Sequence, residues 1–215
     1  MTQLKDYDNP SPIQIINGLV TTERSGLGKW GPQSQLGLFS YCCELKERLD
    51  KTFLPKISTA AKYIMAEIGC YAGESTLMFS SMFNTIIAVD PWINGYDNDD
   101  LASHIKPMET VKSSFYKRKE FMQADVIVHE ETSEMAASII APNSVHFVYI
   151  DSIHKLGPCR DTITTWLPKI KSSCYIGGHD FCGYWGEVVD AVLETVGVPD
   201  FVAKDGSWLK RIKSY

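Results

Sequence analysis

The sequence predicts an α/β fold: a mainly parallel seven-stranded sheet with an antiparallel C-terminal strand and helices on both faces. Three observations lead there. From about residue 60 onward, short apolar runs alternate with stretches of helical spacing. A glycine turn follows one of those runs at Gly69–Gly73, and another run reaches Gly177-Gly178. A closing pair of apolar runs flanks Asp205-Gly206, a hairpin turn signal.

Taken in order, the first thirty-odd residues are rich in Gly, Pro, Ser and Thr (Asn9-Pro10-Ser11-Pro12, then Gly26-Leu27-Gly28-Lys29-Trp30-Gly31-Pro32) and read as an irregular arm. A helix is expected over 34–49, with Leu36, Phe39, Cys43 and Leu49 available for one face. Strands are expected at about 63–69, 85–90, 124–129, 145–151 and 172–178, with a final pair near 200–203 and 207–213. Helices fit between them at 73–82, 100–118, 132–140, 156–170 and 186–196. The last carries Val188, Val189, Val192, Leu193 and Val196 at helical spacing.

Length and composition narrow the class. A chain of 215 residues can bury one substantial core. Its 44% hydrophobic and 22% charged residues are those of a soluble globular protein. No apolar stretch approaches the ~20 residues that span a bilayer, so a membrane role is not expected. The N-terminus lacks the basic and apolar regions of a signal peptide. Six scattered cysteines without a CxxC read as reduced thiols, which points to the cytoplasm. A net charge of −5 with no basic tract disfavours nucleic acid as a partner. A homo-oligomer is compatible with the sequence, which leaves the oligomeric state open.

The run Glu67-Ile68-Gly69-Cys70-Tyr71-Ala72-Gly73-Glu74-Ser75 joins an apolar strand to a helix start. Such a turn lets backbone approach a ligand closely, because glycine has no Cβ and tolerates positive φ. About twenty residues on, the run Ile86-Ile87-Ala88-Val89 ends in Asp90, placed to accept hydrogen bonds from a ribose. Together they indicate a nucleotide-type cofactor. Gly69-x-x-x-Gly73 lacks the middle glycine of the dinucleotide fingerprint, which counts against an NAD-type oxidoreductase. The pattern acidic-x-Gly-x-x-x-Gly instead resembles motif I of the class I S-adenosylmethionine (SAM) methyltransferases.

A second constellation strengthens that likeness. Val145-His146-Phe147-Val148-Tyr149-Ile150-Asp151-Ser152-Ile153-His154 is an apolar strand ending in a polar cluster, and a later strand ends in Gly177-Gly178-His179-Asp180. These resemble the sugar and natural-product O-methyltransferases that carry Asp-Gly-x-His and Gly-Gly-His-Asp motifs. Ser152 departs from the pattern, standing where that family usually has glycine. The resemblance covers roughly 60–215 and implies a Rossmann-like methyltransferase fold. It divides the chain into an arm and lid helix over the pocket (1–50) and a SAM-binding core (51–215).

On the family's terms, Gly69, Tyr71, Gly73, Glu74 and Ser75 line the methionine and ribose side, and Glu67 orients that loop. Asp90 holds the ribose. Trp92 packs either on the adenine or in the core. Thr132 and Ser133 lie either at the adenine edge or at a helix N-cap. Asp151, His154 and Asp180 are the catalytic candidates, with Asp151 also near the cofactor. His154 is either the proton acceptor or a strand-end cap. Metal-assisted relatives imply a divalent ion on Asp151, His179 and Asp180. The histidine suits Mn²⁺ better than Mg²⁺.

The implied partner is a small hydroxylated acceptor, a sugar or natural product, contacted by Trp30, Phe39, Tyr41, Phe181, Tyr184 and Trp185. A non-catalytic SAM- or nucleotide-binding module is the competing reading. It has no use for the Asp151, His154, His179-Asp180 cluster. An amino-directed nucleic-acid methyltransferase would carry an Asn/Asp-Pro-Pro-Tyr/Phe tetrapeptide after the fourth strand, and none is present.

Overall fold

The computed structural model describes residues 32–53 and 63–213. Among them are seven strands: β1 (Ile64–Ile68), β2 (Thr85–Val89), β3 (Asp125–His129), β4 (Val145–Ile150), β5 (Ile170–Gly178), β6 (Phe201–Val202) and β7 (Trp208–Arg211). They form one sheet in the order β3-β2-β1-β4-β5-β7-β6. β1 to β5 pair in parallel, and β7 is antiparallel to both β5 and β6, so it alone runs against the rest. The helices are α1 (Pro32–Phe53), α2 (Glu74–Phe79), α3 (Ala102–Ile105), α4 (Met108–Lys119), α5 (Ser133–Ile139), α6 (Leu156–Trp166) and α7 (Gly186–Thr195).

Near-continuous apolar strands explain why both faces are covered. Side chains alternate across a strand, so the central strands supply two cores rather than one face and a wet back. Met65, Ile86, Ala88, Phe147 and Tyr149 point to one core, which takes Tyr41, Leu45 and Leu49 of α1, Leu77 and Phe79 of α2, and Val111 and Phe115 of α4. Ala66, Ile68, Ile87, Val89, Val148 and Ile150 point to the other, closed by Ala136 of α5, Ile163 and Trp166 of α6, and Ala191 and Val192 of α7. Trp166 is fully buried in the second core, and truncating it to alanine would cost roughly 3–5 kcal/mol.

Three elements depart from expectation. The single helix expected over 100–118 is two helices, broken at Pro107. That residue has no N–H to donate, and it forces Lys106 into an extended conformation (φ −134°, ψ 151°). The helix expected over 156–170 gives way to a 3₁₀ turn at Leu167–Lys169, and β5 begins at Ile170 rather than 172. Its register against β4 shifts between Val145 and Phe147, near Ser173 at φ 64°. α1 runs to Phe53, past the expected domain boundary at 50, and buries Tyr41, Leu45 and Leu49 in the first core. Residues 1–31, and with them the expected arm and Trp30, lie outside the described residues, as does the side chain of Phe39.

Candidate active site

The strand order reverses between β1 and β4, and open α/β sheets place ligands at the carboxyl ends beside such a reversal. Single backbone bonds carry the parallel ladder one residue further. Gly69 N donates to Val89 O (2.9 Å), Asp90 N to His129 O (3.1 Å), Asp151 N to Ile68 O (2.8 Å) and His179 N to Ile150 O (3.0 Å). These four residues therefore lie along one edge. All four line a cavity of about 400 Å³, within the ~300–1,000 Å³ range of small-molecule sites.

At the cofactor end, Gly69 sits at φ 88°, and a Cβ there would overlap the Asp151 carbonyl oxygen. Glycine is what lets the turns after β1 and β4 meet. Tyr71 follows at φ 46°, and Gly73 at φ 84° starts α2. Asp90 fastens this turn: its Oδ2 accepts from Tyr71 N (2.8 Å) and its Oδ1 from Trp92 N (2.8 Å). The Cys70 N–H acts on the same carboxylate, so backbone donors take up much of its acceptor capacity. Burial pushes the Asp90 carboxyl up to about 6 against those backbone donors.

Glu67 is fully buried and does not reach the cavity wall; Ser75, whose hydroxyl donates to Glu67 Oε1, does. Burial raises Glu67 to about 7, opposed by the Ser75 and Thr76 hydroxyls. Arg118 locks the turn from behind, donating to Ala72 O (2.7 Å) and pairing with Glu74 (3.1 Å).

Two sequence expectations divide. Trp92 is buried in the first core, its ring 5.2 Å from Phe115 and its Nε1 donating to Tyr71 O (2.8 Å). Pro91 and Ile93 line the cavity, and Trp92 does not. Thr132 is the N-cap of α5, accepting from Met135 N (3.4 Å), and is absent from the wall. Ser133 is in the wall, although its Oγ also accepts from Trp166 Nε1 (2.9 Å). Among the acceptor candidates, Tyr184 and Trp185 line the cavity, whereas Tyr41 is wholly buried and Phe181 packs on the second core.

At the other end, His154 is held between two carboxylates. Its Nδ1 is 2.7 Å from Asp97 Oδ2 and its Nε2 2.8 Å from Asp180 Oδ2, while its backbone N–H also donates to Asp97 (2.8 Å). The Trp185 ring stacks on the imidazole at 4.0 Å and 21°. Burial alone would lower the His154 pKa, but the neighbouring Asp180, Asp151 and Asp97 outweigh it and raise it to about 9. His154 is thus an imidazolium near neutral pH, with both N–H groups donated.

His179 pairs with the other Asp180 oxygen (3.1 Å), and the same balance raises it to about 10. Asp180 is held well below the usual carboxylate range: the two histidines overcome its burial. Asp151 has no such bond, and burial raises it to about 6. Asp180 also adopts φ 62°, so three of the five left-handed non-glycine residues among the described residues, Tyr71, Trp92 and Asp180, lie in these loops.

Asp151, His154 and Asp180 each offer a ligand atom, all within 4.8 Å of one another. The set expected from the sequence was Asp151, His179 and Asp180; in this group His154 stands with the two aspartates, while His179 faces Asp180 Oδ1. Asp97, which holds His154, was not foreseen from sequence. The only sequence signal is the acid-rich loop Asp97–Asp100 after Gly95.

Residues 66–181, more than half of the chain, match a family described as a methyltransferase domain. The chain belongs to that family. It is a SAM-dependent methyltransferase on the fold expected. The structure is similar to the O-methyltransferase NovP, with 11% identity, 82% of this chain and 81% of that chain covered, and a TM-score of 0.56. It is also similar to monomeric WbdD, with 10% identity, 92% of this chain and 48% of that chain covered, and a TM-score of 0.52. At these identities the likeness establishes the fold alone. No curated protein matches the sequence significantly. Among the described residues no helix is long and apolar enough to cross a membrane.

Proposed function

We propose that the methyltransferase acts on a hydroxyl of a small acceptor bound at the Asp151–His154–Asp180 end of the cavity. The observation that carries this reading is the joining of that cluster and the Gly69–Asp90 turn in one cavity. The O-methyltransferase description of NovP agrees with it.

SAM fits the residues present. The bare backbone at Gly69 leaves room for the methionine part. Asp90 stands at the cavity edge with acceptor capacity left for a ribose hydroxyl, and Ser133 and Glu134 form the wall where an adenine edge would lie. Bound SAM supplies an electrophilic methyl on its sulfonium. The chain's residues hold the acceptor oxygen in line with that methyl and remove its proton. Asp151 is the fitting proton acceptor, because its pKa near 6 leaves it ionised at neutral pH yet more basic than an ordinary carboxylate. His154 balances the charge of the carboxylates around it, and Asp97 and Asp180 fix its ring.

A second reading keeps the same reaction and adds a divalent ion, favoured by the convergence of Asp151, His154 and Asp180. The mixed oxygen and nitrogen donor set suits Mn²⁺ better than Mg²⁺. A cation there would replace the His154 Nε2 proton, while Asp97 would go on fixing the ring from Nδ1, as carboxylates do behind metal-binding histidines. Bound, the ion would lower the acceptor hydroxyl's pKa.

The six unpaired cysteines support a cytoplasmic location. The test is methyl transfer to a panel of hydroxylated small molecules, followed as S-adenosylhomocysteine release with and without chelator and Mn²⁺. Transfer to nitrogen or carbon acceptors alone would overturn O-methylation. Activity indifferent to chelator would remove the ion.

A further inference from the structure

The acceptor end of the cavity has an electrostatic character that the general reaction does not require. Asp97, Asp99, Asp100, Asp151, Asp180 and Asp205 line it, and no lysine or arginine does so among the described residues. The two histidines answer only part of this charge. His154 is shared by Asp97 and Asp180, and His179 is bound to Asp180. Asp99 has its counter-charge outside the cavity in Lys155.

Asp205 forms no ion pair among the described residues, although its charge also acts on His179. It sits in the turn between β6 and β7, where its Oδ1 accepts from Ser207 N (3.0 Å). Its Oδ2 is buried without a hydrogen bond. The turn is fastened to the active-site edge: Phe181 N donates to Gly206 O (3.0 Å), and Gly206 lies against Asp180. A buried carboxylate oxygen without a donor is costly, and a ligand that supplies one recovers that cost. A cavity lined by one sign of charge also concentrates ligands of the opposite sign and repels those of its own.

We propose that Asp205 is a specificity-determining residue that selects an acceptor carrying a protonated amine beside its hydroxyls, and that the cavity rejects phosphorylated and carboxylated acceptors. The proposal rests on the reading of this cavity end as the acceptor site. Asp205-Gly206 had announced only a turn in the sequence; the structure gives its side chain a place at the site.

The test uses the full-length protein saturated with S-adenosylhomocysteine, with three probes of one scaffold: 2-amino-2-deoxyglucose, glucose and glucose 6-phosphate. Their dissociation constants are read by ligand-observed NMR. The amino sugar should bind about tenfold or more tighter than glucose, the order expected of one charge-assisted hydrogen bond, and the phosphate should bind weakest. Asp205→Asn keeps the acceptor for Ser207 N, so the turn survives. In that variant the preference for the amino sugar should fall several-fold while S-adenosylhomocysteine affinity is unchanged.

The proposal is overturned if the phosphate binds as well as the amino sugar, if no probe binds, or if Asp205→Asn keeps the full preference. Loss of S-adenosylhomocysteine binding by the wild-type protein would instead overturn the cavity reading on which it rests.

Discussion

His154 should titrate far above an ordinary histidine, and removing the Asp97 charge should pull it back. A pKa raised from 6.5 to about 9 corresponds to about 3 kcal/mol favouring the folded imidazolium, at ~1.4 kcal/mol per tenfold change in proton affinity. Because the folded value lies above the unfolded one, this stabilisation is fully present below pH 6.5 and is lost as pH rises through about 9. Asp180 supplies the larger share, through its hydrogen bond and its charge, and Asp97 a smaller one. Asp97→Asn keeps an oxygen for the His154 N–H groups but loses the charge. A charge-assisted bond becomes a neutral one, a loss of about 1 kcal/mol. The assay is NMR titration of the His154 ring proton in chelator-treated wild type and Asp97→Asn, with urea unfolding at pH 6 and pH 10. The wild-type midpoint should lie near 9 and fall in the variant, and the variant's stability deficit should appear at pH 6 and vanish at pH 10. A wild-type midpoint at or below 6.5 would refute the two-carboxylate clamp.

Gly69→Ala should destabilise by several kcal/mol and abolish SAM binding, since its Cβ would collide with the Asp151 carbonyl at a left-handed φ; thermal melting and titration calorimetry read both effects. Asp90→Ala should weaken SAM about 100-fold or more by removing a charge-assisted bond to the ribose, with far-UV circular dichroism unchanged; retained affinity would sink the ribose assignment. Thr132→Ala should cost about 1 kcal/mol in urea unfolding through the lost N-cap, with SAM affinity untouched; a fall in affinity would return Thr132 to the adenine edge. Asp180→Asn should lower the rate of methyl transfer by at least about tenfold and erase any dependence on Mn²⁺, measured as S-adenosylhomocysteine release.

Much of this architecture was legible because its signals are local. Strands β1 to β4 fall within a residue or two of expectation, since apolar runs between turn residues admit few other placements. Gly69 and Asp90 were legible because their spacing alone places them at two strand ends. The rest was not legible because tertiary contacts decide it. Nothing in the spacing says that Trp92 turns at φ 44° to pack on Phe115 instead of lining the cavity. Asp97 lies 57 residues from His154 in an irregular loop, so no periodicity points to their pairing. Whether His154 or His179 stands with Asp151 and Asp180 depends on which oxygen of Asp180 each ring faces, which adjacency in the sequence cannot encode.

The central claim is that this cavity binds SAM through the Gly69 turn and Asp90. It is tested most directly by isothermal titration of the chelator-treated protein with S-adenosylhomocysteine, alongside Asp90→Ala. Micromolar binding by the wild type that collapses in the variant is the expected result. No heat with wild-type protein, or equal affinity in both proteins, would contradict the account.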